Sequence, residues 1–297
     1  MTNNHNRVVS WSIPLRAVLA ALAINILWGG NPVAVKLGLE AFPPLWSGLL
    51  RFALGSVCIA AWARLARVSL RPAPGEWPAL LGIGLLFTLQ IALMNFGFNA
   101  TAAVNGAVLI ATNPLFGVLF AHVLIPGDRL RPRRALGALV AFAGTALVLA
   151  RGASPGAAEH GDWIVLASAC LLGFRLALSG RLLKRVNEVR LAFWQGVVSL
   201  PLFAAGALEF ETVRVENIGF APIAGILYQG AVIAGLAFTV NFWLIRRYTP
   251  SVVISFNFIA PVAGVLLASW VLGEQITAGL VGGMLLVAAG LVLIARR

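Results

Sequence analysis

Charge is what this sequence has least of. Of its 297 residues, 11% are charged and 60% are hydrophobic, whereas a soluble domain carries about 25% charged residues. No soluble fold of this size hides so much apolar surface, so the surrounding solvent is lipid. Acidic residues are the scarcer sign: 10 Asp and Glu stand against 22 Lys and Arg, and none falls near the centre of a long apolar run. That absence excludes the buried carboxylate with which a cation/proton antiporter binds its two cargoes in turn. The two cysteines, Cys58 and Cys170, both lie inside apolar runs, which excludes a disulfide framework and a cysteine metal site. No HExxH, GxSxG, paired carboxylates or metal-ligand cluster occurs in or beside the runs, so neither catalytic nor metal residues nor a cofactor are expected. The net charge of +12 raises nucleic acid as a partner, but the basic residues sit in short loops between apolar runs. They read as topology signals instead.

What is present in abundance is apolar sequence of spanning length. Runs of roughly 18–25 residues predict ten transmembrane helices near 17–39, 45–66, 77–98, 103–125, 133–150, 163–183, 190–208, 218–245, 251–272 and 276–295. Turn chemistry separates them: "FPP" at 42–44, "RPAPGE" at 71–76, "PGDRLRPRR" at 126–134, "RGASPGAAEHGD" at 151–162 and "YTP" at 248–250. The first run is too long for a cleaved signal and reads as an anchor that stays. With the N-terminus inside, 17 of the 22 Lys and Arg residues fall on the inner side, two (Arg151 and Arg214) outside and three within spans. The positive-inside rule therefore places both termini in the cytoplasm.

"ATNPLFGVLFA" at Ala111–Ala121 and "FIAPVAGVLLA" at Phe258–Ala268 are near-copies, with Pro114 and Pro261 separated by 147 residues. The likeness continues: Gly127–Arg151 matches Gly273–Arg297, with Gly137 on Gly283 and Gly144 on Gly290, and Asn95–Phe96 matches Asn241–Phe242. Two units follow, residues 1–152 and 153–297. Five spans is an odd number, so the second unit enters the membrane from the opposite face. Inverted repeats build two near-equivalent halves that open alternately to either side of a central site. Proline and glycine interruptions at matching positions (Pro114, Gly117, Pro261, Gly264) point to that site, because freed backbone groups survive only where protein or a watery cavity satisfies them. Helix bending for packing alone is the plainer reading.

"ILWGGNPVAVKLGL" in the first span, "LLRFALGS" in the second, the proline-bearing fourth and ninth spans and the "G-[DE]-x-[LI]…G…G" run after each resemble the drug/metabolite transporter superfamily, specifically its EamA-repeat exporters. The chain looks most like the YddG-type exporters of aromatic amino acids. The resemblance implies an all-α polytopic membrane protein of ten helices in a cell inner membrane. Spans 1–4 and 6–9 would surround a central cavity, with spans 5 and 10 at the periphery. The sixth span departs from the pattern: Arg175 stands where the first unit has Asn31.

Intramembrane charges cost on the order of 2.5–3.5 kcal/mol on insertion scales, so each needs a reason. Lys36 has Glu40 one turn on, and reads either as a residue snorkelling to the outer interface or as a cavity group. Arg51, two turns into the second span, reads as structural. Arg175 lies too deep to snorkel and reads as facing the bundle interior, either lining the substrate path or bonded to backbone carbonyls. Uncharged polar groups concentrate in spans 1, 3, 4, 8 and 9. Together with nearby aromatics they provide the remaining cavity candidates: Trp28, Asn31, Gln90, Asn95, Asn113, Trp194, Tyr228, Gln229 and Asn257. Trp46, Trp77, Trp163 and Trp270 sit at span ends and read as interfacial anchors. The "GLVGG" of 279–283 offers a small-residue face for close helix packing, including a homodimer through spans 5 and 10.

Embedded cations, amides and aromatics without a carboxylate suit a cargo with a carboxylate and an apolar body. The expectation is a secondary exporter of amino acids or related small metabolites, working by alternating access. Phosphorylated, sugar-nucleotide or drug-like cargo is the alternative within that class; a polytopic membrane enzyme and a channel are the alternatives outside it.

Overall fold

Proline and glycine set the helix boundaries. In the computed structural model, which describes residues 15–124, 132–150, 159–183, 185–237, 240, 244 and 259–295, α1 (Leu15–Ala41) ends just before Pro43 and Pro44. Pro44 is the first residue of α2 (Pro44–Leu65), where a missing N–H costs nothing. Gly75, at φ +81°, turns the chain into α3 (Trp77–Asn99). A further positive-φ glycine, Gly273 at +68°, closes α10 (Ile259–Leu272) and leads into α11 (Ala278–Ala295). Between these lie α4 (Ala103–Ile110), α5 (Asn113–Leu124), α6 (Pro132–Ala150), α7 (Glu159–Leu182), α8 (Glu188–Phe210) and α9 (Phe220–Leu227), the last running directly into a π-helical stretch, Tyr228–Ala237. The Asn187 side chain caps α8 by accepting from the Val189 and Arg190 N–H groups.

Among the described residues there are no strands, and eight helical stretches are long and apolar enough to cross a membrane. Two further apolar helices, Ile259–Leu272 and Ala278–Ile294, are shorter. Eight of the ten expected spans fall on stretches of that length, and the two shorter helices fall within the expected ninth and tenth. The ends of the chain, which the loop charges are expected to place in the cytoplasm, and residues 251–258 of the ninth span lie outside the described residues. Large apolar side chains such as Leu139, Phe210, Phe220 and Trp270 point outward, which is the normal surface of a protein solvated by lipid.

The principal helix pairs are α1 with α10, α2 with α8, α3 with α7, α5 with α7, and α6 with α11. Several are held at backbone contact by paired glycines. A Cβ on Gly173 would lie 2.6 Å from the Gly117 nitrogen, bringing α7 onto α5, and a Cβ on Gly29 would lie 2.9 Å from the Gly264 nitrogen, bringing α1 onto α10. In α6 and α11 the contacts are reciprocal: Gly137 meets Gly290, and Gly144 meets Gly283. Small residues let helices approach this closely in lipid, where packing replaces the hydrophobic drive. Gly283, the last residue of the "GLVGG" motif expected to serve a dimer, is therefore taken up by contacts within the chain. A Cβ there would lie 2.8 Å from the Gly144 carbonyl oxygen.

Candidate functional site

The fourth span is not continuous. α4 stops at Ile110, and α5 starts at Asn113, placing Pro114 in the first turn of a new helix. Proline's missing N–H breaks no hydrogen bond there. Side chains close the gap: the Thr112 hydroxyl donates to the Leu109 carbonyl at 2.6 Å, and the Asn113 amide to Ile110 at 2.8 Å. The break opens onto a cavity of about 410 Å³, well within the range of small-molecule sites. Ala111, Asn113 and Pro114 line one side of it and Pro261 contributes from α10.

Two guanidiniums enter this chamber from different helices. Arg51 of α2 and Arg175 of α7 are both buried, at 5% and 9% exposure, and among the described residues no Asp or Glu lines the chamber. Each is carried by a glutamine. Arg175 Nη1 donates to Gln195 Oε1, and Arg51 Nη1 donates to Gln229 Oε1 at 3.4 Å. The glutamines are themselves tied to backbone, Gln195 to Leu191 O at 3.1 Å and Gln229 to Ala34 O at 2.9 Å. Aromatic faces supply further compensation. Arg51 lies over Phe52 at 5.1 Å and Arg175 over Phe87 at 4.9 Å, and the two rings meet edge to face at 4.6 Å. Such contacts are worth on the order of 2 kcal/mol when desolvated. Both Nε–H groups remain without a partner.

Opposite in character are three amide oxygens in the same chamber. Asn25 Oδ1, Asn31 Oδ1 and Gln90 Oε1 are buried and accept no hydrogen bond. Trp28, Phe52, Phe87, Ile91 and Met94 supply much of the apolar wall.

Of the residues expected at the site, the structure brings together Trp28, Asn31, Gln90, Asn113, Arg175, Pro114 and Pro261. Others lie elsewhere, each with a partner that holds it. Lys36 Nζ donates to the Phe98 and Thr101 carbonyls at 3.1 and 2.9 Å, at the corner between α3 and α4. Asn95 bonds the Pro44 carbonyl at 2.8 Å. The Trp194 indole donates to Leu70 O at 2.8 Å and packs edge to face on Trp77, and the Tyr228 hydroxyl donates to Leu27 O at 2.7 Å. Gln229 stands behind Arg51, outside the lining. Gly117 and Gly264 are helix-contact points rather than lining groups, and Asn257 lies outside the described residues. Sequence reasoning left Arg51 out. Its depth in the span was visible, but the direction in which it points was not. The implied periphery also needs a correction, because Leu291 of α11 reaches the chamber while α8 contributes Gln195 only from behind.

An all-helical bundle with a lipid-facing apolar surface and an internal polar-pointed chamber defines a multi-pass membrane protein. The chain belongs to the EamA-like transporter family, of the drug/metabolite transporter superfamily, whose pattern matches it twice, over residues 15–150 and 160–296. It is 30% identical to a probable terminal-alkyne amino-acid exporter of Streptantibioticus cattleyicolor, covering 95% of this chain and 94% of that protein. It is 26% identical to a probable amino-acid metabolite efflux pump of Salmonella typhimurium (91% and 92% covered) and 25% identical to YedA, an uncharacterized inner membrane transporter of Escherichia coli (87% and 83%). A solved crystal structure at 25% identity superposes with a TM-score of 0.67, covering 94% of this chain and 96% of that one.

Proposed function

We propose that this protein is an inner-membrane secondary exporter of amino acids, aromatic and other neutral ones included, that works by alternating access. The observation that carries this reading is the pair of buried guanidiniums in a chamber where no carboxylate is among the described lining residues. Buried charges are costly unless paired, so the chamber favours a cargo that brings an anionic group to them. The apolar and aromatic wall suits a cargo with an apolar body. Relatives named as exporters of amino acids or their metabolites support the same class, and the likeness to YddG-type exporters favours aromatic side chains.

Residues 1–152 and 153–297 act as the two inverted halves, with ten spans and both termini in the cytoplasm. The paired glycine contacts support this: Gly117 with Gly173 and Gly264 with Gly29 join the fourth span to the sixth and the ninth to the first. The reciprocal crossing of α6 and α11 has the same two-fold logic. Halves so related can rock about a central site.

A second reading keeps the class and changes the cargo. Two converging guanidiniums also suit a phosphorylated metabolite. Flux into proteoliposomes separates the two: labelled phenylalanine and threonine, with and without a pH gradient, against a labelled sugar phosphate. Saturable amino-acid flux that unlabelled amino acid competes away supports export of amino acids. Flux of the sugar phosphate alone overturns it.

A further inference from the structure

Resting on the amino-acid reading, we infer that the chamber recognises a zwitterion at two separate subsites: the Nε edges of Arg51 and Arg175 take the cargo's carboxylate, and the side-chain oxygens of Asn25, Asn31 and Gln90 take its ammonium. Among the residues lining the cavity these five polar atoms are buried and lack a partner, two of them donors and three acceptors. Each unmet group of this kind carries a desolvation penalty that a bound ligand relieves. A cargo that is only an anion satisfies the two donors and sets its charge beside three bare oxygens. A cargo that is only an amine satisfies the oxygens and adds a third positive charge to two buried guanidiniums. A carboxylate and an ammonium on one molecule meet both needs.

The orientation of two of the amides, Asn25 and Gln90, is fixed by their neighbours. Asn25 donates its amide N–H to the Ala21 carbonyl at 2.9 Å, a group that only accepts, so the Oδ1 is the free atom. Gln90 is oriented by Ser168. The serine hydroxyl spends its one proton on the Gln90 backbone carbonyl at 2.9 Å, so it must accept from Gln90 Nε2 at 3.0 Å. That leaves Gln90 Oε1 unpaired. Burial of Asn25 and Gln90, at 0% and 1% exposure, shuts out bulk solvent as the usual partner. The arginines are oriented too, since Gln195 and Gln229 each accept from one Nη1 and leave the Nε–H groups unpaired. A phosphate, with acceptor oxygens on every side, fits the three amide oxygens poorly, which favours the zwitterion over the second reading above.

The test is calorimetric binding to the full chain in detergent, using four probes that share one ring: phenylalanine, phenylalaninamide, 3-phenylpropionate and phenyl phosphate. Phenylalanine is expected to bind, with the amide and the propionate each weaker by about tenfold or more. Arg175→Gln is expected to shrink the penalty for the amide, and Gln90→Leu the penalty for the propionate, each leaving the other penalty in place. The wild-type comparison alone decides the matter if either variant fails to fold. Equal binding of phenylalanine and 3-phenylpropionate overturns the ammonium subsite, and equal binding of phenylalaninamide overturns the carboxylate subsite; in both cases the export of amino acids stands. Tight phenyl phosphate with no phenylalanine overturns the inference and the proposed function together.

Discussion

Gly137 meets Gly290 where α6 crosses α11, so closely that a Cβ at position 137 would lie 2.8 Å from the Gly290 carbonyl oxygen and one at 290 would lie 2.5 Å from the Gly137 carbonyl oxygen. Side chains essentially never approach backbone this closely, and both obstacles are backbone atoms that cannot rotate aside. Gly290→Leu must therefore part the two helices. The expected cost is about 1–3 kcal/mol, the usual range for overpacking, read as a lower unfolding midpoint in detergent. Leu139→Ala, on the lipid face at 66% exposure, is the matched control and should leave the midpoint unchanged.

Gln195 is expected to act as a positioning residue for Arg175. Gln195→Glu keeps the acceptor and places a carboxylate beside the guanidinium, where it competes with the anionic group of the cargo. Stability should hold while cargo affinity falls by about tenfold or more, seen as a raised KM for flux. A merely structural role for Gln195 predicts an unaltered KM in this variant.

Lys36 was among the expected cargo groups, yet its ammonium ties the carbonyls of Phe98 and Thr101. Lys36→Gln should leave the KM for cargo within about twofold while lowering the unfolding midpoint by the equivalent of about 2 kcal/mol, as befits lost hydrogen bonds to a charged group. A large KM increase with an unchanged midpoint would return Lys36 to the cargo path.

Glu76, in the loop between α2 and α3, offers a pH signature outside the membrane. Burial raises its carboxyl, but the Ala73 N–H at 2.8 Å and the Arg190 guanidinium at 2.7 Å outweigh that and hold it below its ordinary 4.5. A carboxyl with a depressed folded value stabilises the fold fully above its unfolded value, and this contribution is lost as pH falls through the folded one. Wild type should therefore unfold at a higher temperature than Glu76→Gln near neutral pH, with the gap closing below about pH 4.5. A gap that does not narrow at all as pH falls below 4.5 would show that the carboxylate charge is not its source.

The spans were readable because lipid demands long apolar runs, and proline and glycine mark their ends. Within a span the same lipid removes the usual guide to direction. A helix such as α3, apolar on nearly every side, has no polar stripe from which to tell the face of Gln90 from that of Asn95. Depth along the membrane was therefore legible and rotation about the helix axis was not. That is why the sequence leaves Arg51 out of the chamber, where the structure puts it in the lining, and sets Trp194 in it, where the structure puts the indole against Leu70 and Trp77. The break in the fourth span was half legible. Pro114 signalled an interruption, but only the structure shows a new helix starting at Asn113, which makes the proline a first-turn residue instead of a kink.

The positive charge of the chamber's two arginines bears on what drives transport. A zwitterion carries no net charge, so the chamber holds the same charge loaded as empty, and membrane voltage acts alike on the outward turn and the return. A monoanion would cancel one charge on the loaded turn only, exposing the cycle to about 2.3 kcal/mol per 100 mV. On the proposed reading, a zwitterion carried with no ion beside it makes the cycle electrically silent, and the cargo's own gradient is then the drive.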